Sequence, residues 1–238
     1  MQDALVEKLN QARLLKRHFK LDETVAALKE CLEIDPSCLI ASAQAGLCLL
    51  MLGKPEEAEP FLEKTFEETQ KKDLPVGAYL AACLTALGKE SMANDVVSDI
   101  QKEAAAANIQ NDEISVPETY MLVAEMLSEK KEHEAAVRLI NSLSVHFVED
   151  AFFHYPVNHY RMIRVLAHAG LIDIAEQLAE ALSENAPETW ETLASEASVA
   201  IAKEQYEEAY SLTVKALKKG GSSYPLLAAQ QHWLAINK

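Results

Sequence analysis

Residues that interrupt helices are scarce in this chain of 238 residues, which has only 7 Gly and 8 Pro. Aromatic residues, which favour strands together with β-branched ones, account for 6% of the sequence. The common residues are instead Ala, Leu, Glu and Lys, which are strong helix formers. The composition therefore predicts an all-α protein and argues against a fold rich in β-sheet.

Long apolar runs are also missing. The longest, "LIASAQAGLCLLMLG" at residues 39–53, contains Ser42 and Gln44 and is shorter than the roughly 20 residues that a membrane-spanning helix needs. The first residues, "MQDALVEKLNQARLLKRHF", have no uncharged apolar stretch ahead of a small-residue cleavage site, so no secretory signal is expected. We therefore expect a soluble, cytoplasmic protein with no membrane partner.

Positive charge is in short supply, since 22 Lys and Arg face 37 Asp and Glu for a net charge of −15. Binding to nucleic acids depends on Lys and Arg that neutralise phosphates, and anionic membranes attract basic segments. The balance therefore argues against both as partners. The simplest interpretation of the acidic surface is that it keeps a helical protein soluble.

The four cysteines, Cys31, Cys38, Cys48 and Cys83, have apolar neighbours and no CxxC or Cys/His spacing of the kind that binds zinc. We interpret them as small, free core residues, which suits a reducing compartment. Disulfides remain an alternative, because sequence alone cannot pair them.

A short pattern recurs along the chain. A glycine is followed five residues later by an alanine in "GKPEEAEPFL", "GKESMANDVV" and "GLIDIAEQLA", at Gly53–Ala58, Gly88–Ala93 and Gly170–Ala175. Glycine can end a helix in the left-handed conformation without steric cost, so each pattern predicts a break between two helices. Twelve residues before Ala58, Ala93 and Ala209 lie Gly46, Ala81 and Ala197, small residues expected where the two helices cross most closely.

The pattern divides the chain into units that begin near residues 5, 39, 74, 117, 156 and 190, with steps of 34, 35, 43, 39 and 34. In this period the sequence resembles the tetratricopeptide repeat family of helix–turn–helix units. "EEA" at 56–58 and 207–209, Tyr206, and the unit-ending Pro36 and Pro187 carry the resemblance. Thr24 and Ile163 replace small residues of the family pattern. In the fourth repeat, either Ala135 or Ala136 occupies the position of the recurring alanine. Repeats of paired helices with less regular spacing are the alternative.

The resemblance implies an all-α, right-handed superhelix of about six helical hairpins plus a C-terminal capping helix. Residues 1–222 would form the array, with repeats near 5–38, 39–72, 74–107, 117–150, 156–189 and 190–222. Residues 223–238 would cap its end, with Trp233 and Leu234 facing inward, or would serve as a partner-binding arm. Two inserts interrupt the period, at 104–116 and 144–160.

Catalytic motifs are missing as well. The sequence lacks GxSxG, GxGxxG and the phosphate-binding P-loop, and "HEAAV" at His133 has Val137 where a zinc-binding HExxH needs its second histidine. The 144–160 insert holds His146, His154 and His159 near two acids, but their spacing does not force metal donors to converge. We therefore expect neither an enzyme nor a metal or other cofactor, and the insert's aromatic residues form either core or an interaction edge.

The resemblance also implies an inner wall that lines a groove for a partner. The positions that the family uses for this wall carry two basic groups separated by apolar residues, and the candidate partner-binding residues are Arg13, Arg17, Leu47, Leu50, Met51, Tyr160, Arg164 and His168. The family's carboxylate-clamp positions fall on Leu9, Arg13, Gln44, Pro75 and Tyr79, of which only Arg13 is basic, so chaperone-tail binding is disfavoured.

These features predict a non-catalytic adaptor or scaffold that binds a protein or peptide partner, part acidic and part apolar. The arginines could instead pair with neighbouring glutamates or cover apolar surface with their stems. Two other functions stay open. The chain could be a structural subunit of a larger complex, or the regulatory repeat region of a larger enzyme.

Overall fold

The computed structural model describes residues 2–107, 115–147 and 151–237, and within these ranges it contains thirteen α-helices, two short 3-10 helices and no strand. The all-α fold class is confirmed. The α-helices, α1 to α13 in chain order, span Gln2–Arg17, Leu21–Ile34, Leu39–Met51, Pro55–Glu68, Leu74–Ala86, Glu90–Ala106, Val116–Glu129, His133–His146, Pro156–His168, Ile172–Asn185, Trp190–Ala202, Tyr206–Lys218 and Pro225–Asn237. The 3-10 helices span Ala151–His154 and Gly221–Ser223.

Helices that follow one another pack as hairpins: α1 on α2, α3 on α4, α5 on α6, α9 on α10 and α11 on α12. The second helix of a hairpin also contacts the first helix of the next, as α2 does with α3 and α4 with α5. Consecutive paired helices are the arrangement that the repeat pattern predicts. The contacts divide the chain into two compact units, residues 1–143 and 144–238.

The turn inside each of these five hairpins, and the turn between α7 and α8, passes through one residue with positive φ. In chain order these residues are Phe19, Gly53, Gly88, Lys131, Gly170 and Glu204. The next residue donates its backbone N–H to a carbonyl of the preceding helix; for example, Lys54 N lies 2.9 Å from Leu49 O. This bond satisfies a carbonyl that the helix end leaves unpaired. The glycines therefore end helices as predicted, and three other residues adopt the same conformation without being glycine.

The residue five positions after each turn is almost fully buried where two helices meet. These residues are Thr24, Ala58, Ala93, Ala136, Ala175 and Ala209, each at most 1% exposed. Thr24 replaces alanine without leaving a buried hydroxyl unpaired, because its Oγ1 donates to Lys20 O at 2.8 Å. After the turn between α7 and α8 the register falls on Ala136, which resolves the choice between Ala135 and Ala136.

Gly46 marks the closest approach of α3 to α4. A Cβ at this position would lie 2.7 Å from Leu62 Cγ, nearer than side-chain atoms can approach. Ala81 and Ala197, at the equivalent positions of α5 and α11, are fully buried. The prediction that small residues lie at the helix crossings is confirmed.

The four cysteines are free thiols. Cys31, Cys48 and Cys83 are buried as predicted, whereas Cys38 is half-buried at the start of α3. The Cys83 thiol donates to Pro55 O at 3.2 Å, and burial raises the pKa of Cys83 to about 12. The three buried cysteines therefore behave as small core residues.

The last helix, α13, packs against α12 and presents only part of its surface to the core. Leu227 and Leu234 are fully buried, the latter beside Ala200 and Ala209. Trp233 is 46% exposed, so the prediction that it faces inward is wrong. Its ring lies at the edge of the contact, 5.6 Å from the ring of Tyr206, while the neighbouring leucine fills the core.

Candidate functional site

The inner wall predicted from the repeat pattern is partly covered by another helix of the same unit. α7 packs against both α3 and α5. Leu50, near the end of α3, is fully buried, and Thr85, near the end of α5, hydrogen-bonds Tyr120 of α7. The prediction of Leu50 as a partner-binding residue is therefore wrong, because a helix that is distant in sequence covers this part of the wall.

The open part of the wall lies between α1 and α3. This α1–α3 groove encloses a cavity of about 290 Å³, and its lining includes apolar residues of α1 and α2 together with Arg13, Lys16, Ile40 and Gln44. Lys16 Nζ donates to Gln44 Oε1 at 2.5 Å and so links the two first helices. Arg13 is exposed and lines the groove.

A second groove lies between α3 and α5, with a cavity of about 330 Å³. Ile40 and Gln44 line this α3–α5 groove as well, so the two grooves adjoin along one face of α3. Its remaining lining is mainly apolar: Leu39, Ala43, Leu47, Leu62, Thr65, Pro75, Val76 and Tyr79, with Asp73 at one end. Ile40 is 67% exposed and places an apolar contact point between the two grooves.

Charge is distributed unevenly along the two grooves. The α1–α3 groove carries Arg13 and Lys16, and no acidic residue lies in its lining. In the α3–α5 groove, Asp73 accepts a hydrogen bond from Val76 N at 3.2 Å and caps the start of α5. Burial raises the pKa of the Tyr79 phenol, so this lining group stays protonated at neutral pH. The pair of grooves is therefore basic at one end and apolar at the other.

Of the residues predicted for the first unit, the structure brings Arg13 and Leu47 into this pair of grooves. Arg17 is exposed at the end of α1, and Met51 is half-buried at the end of α3; neither lines the two grooves. Ile40 also occupies one of the repeat positions expected to line the inner wall, although it was not among the candidate partner-binding residues.

The other three predicted residues, Tyr160, Arg164 and His168, lie on α9 in the second unit. The Tyr160 ring is fully buried in edge-to-face contact with Trp190 and Tyr224, at 5.7 and 5.5 Å between centroids. Arg164 is only 5% exposed, whereas His168 is exposed. Tyr160 and Arg164 are therefore wrong as partner-binding residues, since both pack inside the second unit.

The two inserts lie partly outside the described residues. Residues 108–114 and 148–150 lie outside the described part of the chain. The acids Glu149 and Asp150, which the sequence places near the histidines, are therefore not described. Phe153 packs against His159 at 6.1 Å between ring centroids, while Tyr155 is 60% exposed. Across residues 2–107, 115–147 and 151–237, no group of three His, Cys, Asp or Glu side chains is arranged to hold a metal ion. None of the described helices is both long and apolar enough to span a bilayer.

Comparison with known proteins finds similar chains among solved structures. No protein-family model matches the sequence, and no curated protein matches it. Among solved structures, the chain is similar to the crystal structure of the P58(IPK) TPR domain, with a TM-score of 0.38 and 13% sequence identity over 97% of this chain and 97% of that chain. The helical hairpins of this chain are shown by its own helix contacts.

Proposed function

We propose that this chain is a non-catalytic adaptor or scaffold that binds a partner peptide or helix in the adjoining α1–α3 and α3–α5 grooves. The observation that carries the proposal is the 67% exposed Ile40, which lies on the α3 face shared by both grooves. An apolar side chain exposed between two cavities loses contact with water when a partner covers it, and this burial favours binding.

The lining supports a partner segment that is apolar at one end and acidic at the other. Arg13 and Lys16 would meet the carboxylates, because a guanidinium and an ammonium form charge-assisted hydrogen bonds with them. Ile40 and Leu47 would meet the apolar side chains. On a chain of net charge −15, two cations without an acid in the same groove lining favour an acidic ligand.

A chaperone-tail partner remains disfavoured. The five positions that correspond to the family's carboxylate clamp, Leu9, Arg13, Gln44, Pro75 and Tyr79, all line the two grooves. Only Arg13 among them is basic. A terminal carboxylate would therefore meet one clamp cation, which favours an internal segment with its acids spread along the groove.

Selection of displayed peptides against the intact protein would test the proposal. We expect the selected peptides to combine an apolar anchor with Asp or Glu. In fluorescence anisotropy, Arg13→Glu should weaken their binding at least about tenfold, because a cation that faces the ligand becomes an anion. Ile40→Ser should also weaken binding, through the loss of apolar burial.

Lys102→Glu is the matched control, since it makes the same charge change on α6, outside the groove linings. Circular dichroism would verify that all three variants are folded. Equal binding by Arg13→Glu and Lys102→Glu would refute the assignment of the grooves. A failure to select any peptide would also count against it and would favour a subunit of a larger complex with extended contacts.

A further inference from the structure

Three cations are gathered on one face of α1, towards its C-terminal end. Arg13 and Arg17 are exposed, and Lys16 is half-buried. Residues three and four positions apart on a helix are neighbours, with Cβ atoms about 5 to 6 Å apart. Lys16 and Arg17 therefore lie on either side of Arg13 on the helix surface. We call these three residues the α1 cation cluster.

The two arginines of the cluster have no partner within the described part of the chain. The protein has five arginines. Three of them are fixed by the fold, because Arg138 and Arg161 donate hydrogen bonds to other residues and Arg164 is almost completely buried. Arg13 and Arg17 form neither a hydrogen bond nor an ion pair with any other described residue. No contact within residues 2–107, 115–147 and 151–237 therefore accounts for these two guanidinium groups.

Lysines elsewhere in the first unit pair with acids of other helices. Lys71 Nζ lies 2.7 Å from Asp99 Oδ2. Lys89 Nζ lies 2.6 Å from Glu59 Oε2. The α1 cation cluster has no such acid: the lining of the α1–α3 groove contains none, and no acid lies three or four residues from either arginine in the sequence. On a chain of net charge −15, three adjacent cations without an acid favour an anionic ligand.

Stabilisation of the helix end accounts for only part of the cluster. Cations in the last turn of a helix interact favourably with its dipole, and Lys16 and Arg17 occupy this turn of α1. Lys16 also hydrogen-bonds Gln44 of α3. Arg13 lies one turn earlier and lines the α1–α3 groove, so the helix dipole does not explain its presence there.

We propose that the α1 cation cluster binds a phosphorylated serine or threonine of the partner segment, so that phosphorylation of the partner strengthens binding. This inference rests on the proposed function, because the phosphate would lie at the basic end of the α1–α3 groove. A phosphate monoester carries a charge of about −1.5 to −2 at pH 7 and has three acceptor oxygens. A carboxylate has one charge and two oxygens, so it matches one guanidinium better than it matches two arginines and a lysine.

The choice of arginine at two of the three positions supports a phosphate ligand. A guanidinium is planar and donates two parallel N–H groups to phosphate oxygens, whereas an ammonium acts as a point charge. Arg13 and Arg17 are neighbours on α1, so both can bind different oxygens of one phosphate. Lys16 would supply a third positive charge beside them.

A synthetic peptide array would test the proposal, with every Ser and Thr peptide present in phosphorylated and unphosphorylated form. The intact protein should bind phosphorylated peptides that also carry an apolar residue. In fluorescence anisotropy, each should bind at least about tenfold more tightly than its unphosphorylated form. Replacing the phosphoserine by Asp should not restore this gain, because Asp has a smaller charge and one acceptor oxygen fewer.

Arg17→Gln tests the phosphate site separately from the grooves, because Arg17 does not line either of them. We expect it to remove most of the gain that phosphorylation gives, while the unphosphorylated peptide binds as before. Arg17→Lys keeps the charge but loses the two parallel donors, so it should retain part of the gain. Lys102→Gln on α6 is the matched control, which loses the same charge and should retain the full gain. Circular dichroism would verify that the variants are folded.

The possible results separate this inference from the proposed function. Equal binding of phosphorylated and unphosphorylated peptides would overturn the phosphate site and leave the assignment of the grooves standing. A phosphorylation gain that Arg17→Gln leaves unchanged would also overturn the site, because the phosphate would then bind elsewhere. Binding of no peptide in either form would overturn both proposals.

Discussion

The hydroxyl of Tyr120 lies 2.9 Å from the hydroxyl of Thr85, and this hydrogen bond joins α7 to α5. Tyr120 is almost completely buried, and Ser142 of α8 also hydrogen-bonds it, so one side chain connects three helices. Burial raises the pKa of Tyr120, which keeps its hydroxyl protonated and able to donate. Through this contact α7 covers part of the wall that the repeat pattern assigns to a partner.

Removing this hydroxyl should destabilise the protein. Tyr120→Phe leaves the ring in place but takes away the hydrogen bonds of its oxygen, so the free energy of unfolding should fall by about 1 kcal/mol. Urea denaturation of the intact chain would measure it. Tyr155→Phe is the control, because Tyr155 is 60% exposed and its change should leave stability unaltered. Equal effects of the two substitutions would mean that the buried contact contributes nothing.

Gly46→Ala should also destabilise the chain. Replacing glycine by alanine within a helix normally stabilises it by about 1 kcal/mol, because alanine has the higher helix propensity. Here the added methyl group would lie 2.7 Å from Leu62 Cγ and 3.3 Å from Ala58 O, so α3 and α4 must move apart. We expect a net loss of about 1 to 3 kcal/mol in denaturant unfolding. A gain in stability would show that the hairpin has room at this crossing.

Glu196 should make the stability of the second unit depend on pH. Burial raises the pKa of this carboxyl above its ordinary value of 4.5, and this effect exceeds the opposing effects of the Ser183 hydrogen bond and Lys215. A raised pKa in the folded state means that the carboxyl stabilises the fold in its protonated form. That contribution is complete below the ordinary pKa and is lost as the pH rises through the folded-state pKa.

Glu196→Gln, which stays neutral, should therefore melt at a higher temperature than the wild type at neutral pH. The difference should diminish below a pH of about 4. Thermal unfolding followed by circular dichroism at several pH values would measure it. Glu180→Gln, at an exposed position on the neighbouring α10, serves as the control and should show a smaller difference. A wild type more stable than Glu196→Gln at neutral pH would contradict the prediction.

The positions of the hairpin turns were only partly readable from the sequence. Gly53, Gly88 and Gly170 indicate a left-handed turn because glycine adopts it without steric cost. Phe19 and Lys131 adopt the same conformation, yet nothing in their chemistry favours it. At these two positions the packing of the flanking helices fixes the turn. The repeat of about 34 residues therefore predicts these turns better than the residue type does.

The candidate site was also only partly predictable from the sequence. Arg13 was identified because the family resemblance assigns its position in the first helix to the inner wall, and it does line a groove. Leu50 was assigned to the wall in the same way, but it is fully buried near the end of α3, the helix against which α7 packs. Arg164 lies in the second unit, almost completely buried, where the sequence alone predicted an open wall.

The sequence by itself determined the all-α class, the paired helices and the small residues at their crossings. Those features depend on helix propensity, on glycine and on a repeat of about 34 residues, all of which act over short stretches of chain. Only the tertiary structure decided which part of the inner wall stays open and which face of α13 is left uncovered. Both depend on contacts between helices far apart in sequence, such as α3 with α7, and no local pattern records them.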